Sequence, residues 1–259
     1  MPAEPVNTLG YYGKVPTNGD FVMRGLPRSF IDPWDLWLQE AILTSRRQLG
    51  NDWLNYYLTS PLYRFALSPG ICGDSGWMGV LMPSVDRIGR YYPMTIGLMS
   101  NEEINPFLAM QKTQWFAELE AIALSCLNDG YNLDEFNRAI DRLGGEIGSI
   151  PADTLSLTER MNHRMFPSAW RQALDNIESI ADLLPAMLDR LLKERCIAYS
   201  LWWTEGSEPI PSSFLFSEGL PPIDNVAAML DGNWQKWGWR ENNHPAQFRE
   251  PRSNPSINE

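Results

Sequence analysis

Gly73-Asp74-Ser75-Gly76 is a run with the residue types of a reaction centre. Gly-Asp-Ser-Gly surrounds the nucleophilic serine of chymotrypsin-like enzymes, where a histidine takes the hydroxyl proton. This chain has two histidines, His163 and His244, and both follow Ser75. Triad order differs among unrelated folds, so a serine hydrolase using Ser75 with a distant histidine stays open as an alternative. The same residues make a tight turn between two strands, and that is the expectation here. The pair Gly13-Lys14 sits in a Gly-rich stretch, but the phosphate-loop pattern Gly-x-x-x-x-Gly-Lys-Ser/Thr is not matched. Neither Gly-x-Gly-x-x-Gly, His-Glu-x-x-His nor Gly-x-Ser-x-Gly is present. Cys72, Cys126 and Cys196 are widely spaced, odd in number and without a Cys or His partner at ligand spacing. They read as buried thiols of a reducing compartment. No metal, cofactor or catalytic residue is expected.

The eleven tryptophans offer a different chemistry. Exposed Trp anchors protein interfaces and stacks on glycans, whereas buried Trp packs cores. Trp202 and Trp203 point to opposite faces if their segment is a strand, and Trp234, Trp237 and Trp239 cluster near the end of the chain. A glycan- or peptidoglycan-binding module through exposed Trp is therefore a second alternative beside core packing.

Charge narrows the partners. Lys plus Arg number 21 against 32 Asp plus Glu, a net charge of −11, and no basic run exceeds Arg46-Arg47. A nucleic-acid backbone or an anionic membrane surface requires a basic footprint, so both are excluded as expected partners, and a basic protein surface fits better. The start, Met1-Pro2-Ala3-Glu4-Pro5, has no basic region or apolar run of a signal peptide. The most apolar short run, Cys196 to Trp203, is far shorter than the roughly 20 residues of a membrane span. A cytoplasmic protein is expected; its oligomeric state is left open.

The elements that would position such groups follow from periodicity. An opening strand covers about residues 6–12. A helix begins at Asp32-Pro33, carries Trp34, Trp37, Leu38, Ala41, Ile42 and Leu49 on one stripe, and ends at Gly50. A second helix starts at Asn51-Asp52, with Trp53, Leu54, Tyr57 and Leu58 on one face. Strands are predicted over 62–67, 77–82 and 92–98, the last two adjacent and antiparallel. A helix runs from about 106 to 127. Another is capped by Asn132 with Glu135, buries Leu133, Phe136, Ile140 and Leu143, and closes at Gly144-Gly145. Residues 144–167 show no period and read as a long loop or internal boundary. Helical pattern resumes near Trp170, and Pro185 starts or kinks its second half. Cys196–Trp203, apolar on both faces, reads as a strand covered on both sides. Phe214–Phe216 is a further strand, and Asp224 caps a last short helix. The expected fold is α/β: a mixed β-sheet with helices on both faces, a three-layer α/β/α sandwich over residues 1–240, with a mobile polar tail at 241–259. A two-lobed α+β arrangement divided near 145 is the alternative.

Three ordered segments carry a resemblance. They are Tyr12-Gly13-Lys14-Val15-Pro16 with Gly19-Asp20-Phe21-Val22, Arg24 and Trp34-Asp35-Leu36-Trp37-Leu38; the stretch from Trp77 through Asp86-Arg87-Ile88-Gly89-Arg90-Tyr91-Tyr92-Pro93-Met94-Thr95; and Trp202-Trp203-Thr204 with Gly219-Leu220-Pro221. Together they resemble the TagF/ImpM family of type VI secretion system-associated proteins, densely over residues 10–100 and more loosely to about 240. The resemblance implies a bacterial cytoplasmic accessory protein without catalytic activity. It further implies post-translational repression of assembly or firing through a forkhead-associated scaffold protein of the same system. Lys14, Asp20, Arg24, Asp86 and Arg90 stand beside turns of these signatures. They either pair with one another as a structural lock or present a surface. With Trp202 and Trp203 they form the candidate partner-binding set.

Overall fold

A computed structural model of the chain describes residues 8–100, 104–128, 130–146 and 180–241. Its strands are β1 (Leu9–Gly13), β2 (Val22–Arg24), β3 (Tyr63–Leu67), β4 (Trp77–Met82), β5 (Met94–Met99), β6 (Tyr199–Thr204) and β7 (Ser213–Glu218). They form one sheet in the order β2-β1-β5-β4-β3-β6-β7. The helices are α1 (Arg28–Leu49), α2 (Trp53–Thr59), α3 (Pro106–Met110), α4 (Thr113–Ser125), α5 (Leu133–Glu146), α6 (Ile180–Arg195) and α7 (Ala228–Asp231).

The α/β class with helices on both faces is as expected. Strand direction differs, since every pairing among the described residues is antiparallel rather than mixed. Short connections make β3, β4 and β5 a meander. Strand β6 pairs with β3 on the outer side of this meander. The expected boundary at 145–167 and the tail from 241 fall almost wholly outside the described residues.

Alternation divides the core. Met78, Val80, Met82, Met94, Ile96 and Leu98 face one side, where Phe116, Leu119, Phe136 and Ile140 of α4 and α5 cover them. Phe65, Trp77 and Trp202 face the other, against Phe30, Trp34, Trp37 and Leu38 of α1. Being covered twice, β3 and β5 are buried along their whole length and so lack a polar face.

Helix α1 starts four residues before Asp32, with Pro27 extended in front of it and the Ile31 amide bonding back to Pro27 at 3.0 Å. Burial of Phe30 and Ile31 recruits this extra turn. Asp32 consequently lies inside the helix and meets Arg28 at 3.4 Å instead of capping. The single helix expected over 106–127 is broken at Gln111-Lys112 into α3 and α4. Asn105 caps α3 through the Phe107 amide and also donates to the Pro185 carbonyl of α6 at 3.0 Å. Asn132 caps α5 as expected, accepting from the Asp134 and Glu135 amides. On α2 only Trp53 and Tyr57 are buried; Leu54 and Leu58 are exposed.

The aromatic layer of α1 needs a flat floor. Gly79 and Gly97 face each other across β4 and β5, and the Phe65 ring lies over them. A Cβ on Gly79 would come 2.1 Å from the Ile96 carbonyl oxygen and 2.9 Å from the Phe65 ring. One on Gly97 would meet nothing closer than 3.8 Å. Gly79→Ala is therefore expected to cost about 1–3 kcal/mol by overpacking. Gly97→Ala should change stability by less than about 1 kcal/mol. Urea denaturation of the two variants separates these outcomes.

Candidate functional site

The signature residues converge where the C-terminal end of β1 meets the β4–β5 connection. Gly13 permits this approach: a Cβ there would lie 2.4 Å from the Pro93 carbonyl oxygen. Lys14, the next residue, is buried, and its ammonium contacts the Asp86 carboxylate at 2.8 Å. Asp86 is itself fully buried. Its Oδ1 accepts the backbone amides of Ile88 and Arg90 at 3.0 and 2.8 Å, and its Oδ2 also takes Arg90 Nε at 2.6 Å. Arg90 continues to the Gly19 carbonyl. Gly89, with φ +85°, closes the turn between them.

The two loops are zipped together by further bonds. The Arg87 amide donates to Asn18 O at 3.0 Å. Ser84 Oγ donates to Lys14 O at 2.7 Å, and Tyr57 hydroxyl both donates to the Ser84 carbonyl and accepts its amide. Burial alone would raise the Asp86 pKa. The Lys14 ammonium, the Arg90 amide and guanidinium, and the Ile88 amide outweigh it and hold the carboxyl well below the usual carboxylate range.

Beside the ion triad lies an aromatic shelf. Phe21 stacks on Tyr12 at 5.2 Å, meets Tyr92 edge-on at 4.8 Å and lies 5.1 Å from the Lys14 ammonium. Tyr12 and Tyr92 both donate to Asp35 Oδ1, at 2.9 and 2.6 Å. Burial first, and then the Asp35 hydrogen bond, push the Tyr12 phenol up to about 12. Asp35 and Tyr92 were not singled out from the sequence. Their place inside the signature stretches was the available signal, but a lone Asp on a helix and a Tyr in a strand run carry no spacing that links them.

The remaining candidates separate. Arg24 reaches across to α5 and binds Asp141 with two bonds of 2.8 and 2.9 Å. Asp20 accepts only its neighbour's amide, from Phe21 at 2.8 Å, and does not enter the triad. Trp202 is a core residue, not a surface one. Strand alternation directs it to the α1 layer, where it stacks parallel on Trp34 at 5.9 Å and is fully buried. Trp203 points to the opposite face, edge-on to Phe116 at 4.9 Å. Trp234 and Trp239 are half-buried against one another. Ser75 lies in the β3–β4 turn, where the Gly70 amide bonds Gly73 O at 2.8 Å; both histidines fall outside the described residues. Burial pushes the Cys72 and Cys126 thiols up to about 12, so neither supplies a thiolate at neutral pH.

Residues 10–143 match the TagF N-terminal domain, described as type VI secretion system-associated. The chain belongs to the TagF family. It is thus an accessory protein associated with the type VI secretion system. The crystal structure of PA0076 from Pseudomonas aeruginosa PAO1 is similar to it, at 31% sequence identity and a TM-score of 0.68, over 86% of this chain and 94% of that one. No curated protein matches the sequence. The TagF N-terminal match contains the whole lock and the Arg24–Asp141 pair, whereas Trp202 and Trp203 lie beyond it.

The two ion pairs of the TagF signature carry different weights. A carboxyl held low by its partners contributes stability that is complete above its unfolded pKa and lost as pH falls toward the folded value. Asp86→Asn is expected to be less stable at pH 7. It should also lack part of the stability loss that the wild-type protein shows below about pH 4. Arg24→Ala breaks a half-exposed pair and should cost at most about 1 kcal/mol. Urea denaturation from neutral to acid pH measures both.

Proposed function

We propose that this protein is a non-catalytic, cytoplasmic repressor that acts post-translationally. It restrains assembly or firing of the secretion system by binding a forkhead-associated scaffold protein of the same system. Membership of the TagF family carries this reading. Two features of the fold support it. The charged signature residues hold two loops in one shape rather than surrounding a cleft with a nucleophile and base, and Ser75 sits in a strand-connecting turn. Among the described residues no helix is long and apolar enough to cross a membrane.

Titration calorimetry of the purified protein against the unphosphorylated scaffold from the same bacterium tests this. Saturable binding is expected, and Ser75→Ala should leave it unchanged. No heat of binding at tens of micromolar, a range where about −6 to −7 kcal/mol of affinity would register, removes the direct two-protein model. A hydrolytic activity that Ser75→Ala abolishes at unchanged fold would instead revive the hydrolase alternative.

A further inference from the structure

The lock raises a physical question. A buried ion pair is a poor source of stability, because desolvation of both charges offsets their attraction. Its best-attested use is to impose one conformation. Here the conformation imposed is that of the turn Asp86–Arg90. Asp86 fixes it from within through the Ile88 and Arg90 amides and the Arg90 guanidinium. The Gly89 amide bonds Asp86 O at 3.0 Å, and the Asp86 amide bonds Arg90 O at 3.0 Å. Arg87 ties the turn to the loop before β2 through its backbone alone.

Two side chains are left over. Ile88 is 67% exposed at the tip of this rigid turn. Arg87 is exposed, makes no ion pair among the described residues, and lies along Gly19, with its Nη2 3.4 Å from where a Cβ on Gly19 would stand. Arg90 stands beside them, 53% exposed although one face of its guanidinium is held. Phe21, 37% exposed, extends the apolar surface from the Lys14 side. Asp20 is exposed on the neighbouring loop. A protein of net charge −11 thus presents an isoleucine between two arginines, on a loop whose ordering cost is met before any partner arrives. Preorganisation of that kind is what raises affinity at an anchor residue, and Arg beside an apolar contact is a common composition of binding hot spots.

We infer that the turn Arg87–Arg90 is the docking loop of this protein, inserting Ile88 into an apolar recess on the scaffold whose rim carries carboxylates that meet Arg87 and Arg90. The assignment rests on the scaffold-binding reading above and names the surface responsible. The net charge of −11 favours a basic partner for the chain as a whole, but the exposed charged side chains of this turn are Arg87 and Arg90 while Asp86 is sealed, so charge complementarity selects carboxylates at this contact.

Calorimetry with the same scaffold tests the assignment through Ile88→Ser and Arg87→Glu. Neither residue belongs to the lock, so circular dichroism and the melting temperature should stay unchanged. Phe214→Ser, on the edge strand β7 and 54% exposed, serves as the control. The expected result is at least a tenfold weaker Kd, about 1.4 kcal/mol, for Ile88→Ser and for Arg87→Glu, with Phe214→Ser unchanged. The Arg87→Glu deficit should shrink as salt is raised. Wild-type affinity in both loop variants overturns the docking loop while leaving scaffold binding intact. An equal loss in Phe214→Ser also overturns it. Absence of binding by the wild-type protein overturns both readings together.

Discussion

A single carboxylate organises the signature end of this fold. Asp86 has no contact with solvent, so each of its oxygens must be met by protein donors. Four groups meet them: the Lys14 ammonium, the Arg90 guanidinium and two amides of its own turn. Each of these donors is thereby placed. Lys14 draws in the end of β1, the amides set the path of residues 86–90, and Arg90 reaches back to the loop at Gly19. Removing any one takes a donor from a sealed carboxylate, and the shape of both loops rests on the set.

The aromatic layer on the far side of β1 extends this constraint into the core. Asp35, one helical turn into the buried stripe of α1, accepts Tyr12 from β1 and Tyr92 from just before β5. The same helix seats Trp34 on Thr95 through its indole N–H at 2.9 Å, and Trp37 on the Pro221 carbonyl at 2.9 Å. Buried indoles so satisfied act as rigid spacers rather than ligand-binding surfaces. Among the described residues the tryptophans therefore belong chiefly to packing, and Gly79 leaves the room that the Phe65 ring takes up.

The charged signature is built as a hydrogen-bonded turn. A reaction centre concentrates perturbed groups around a cleft. In this protein the Asp86 carboxylate is sealed, and the turn above it is shaped by backbone hydrogen bonds and leaves Ile88 exposed at its tip. A hydrogen-bonded turn with an apolar side chain exposed at its tip is suited to recognition by another protein.

Much of the architecture could be read from the chain alone. The buried stripe Trp34, Trp37, Leu38 and Ala41, the stop at Gly50, the Asn132 cap and the two-faced strand read at 196–203 all follow from local periodicity and capping. So does the opposed pointing of Trp202 and Trp203, because strand alternation is a local rule. The type VI secretion family was legible in ordered signatures, since long runs of specific residues survive without any knowledge of contacts. Strand direction, the early start of α1 and the break between α3 and α4 were not, because burial against distant elements decides them. The charged signature shows the boundary most clearly. Sequence named Lys14, Asp20, Arg24, Asp86 and Arg90 together and left both lock and surface open. Tertiary structure sorted them: Lys14, Asp86 and Arg90 form the lock, Arg24 goes to Asp141, and Asp20 stands aside. Residue type determines which charges can pair, but a pair separated by 72 positions forms only where the sheet brings its two loops within a hydrogen bond.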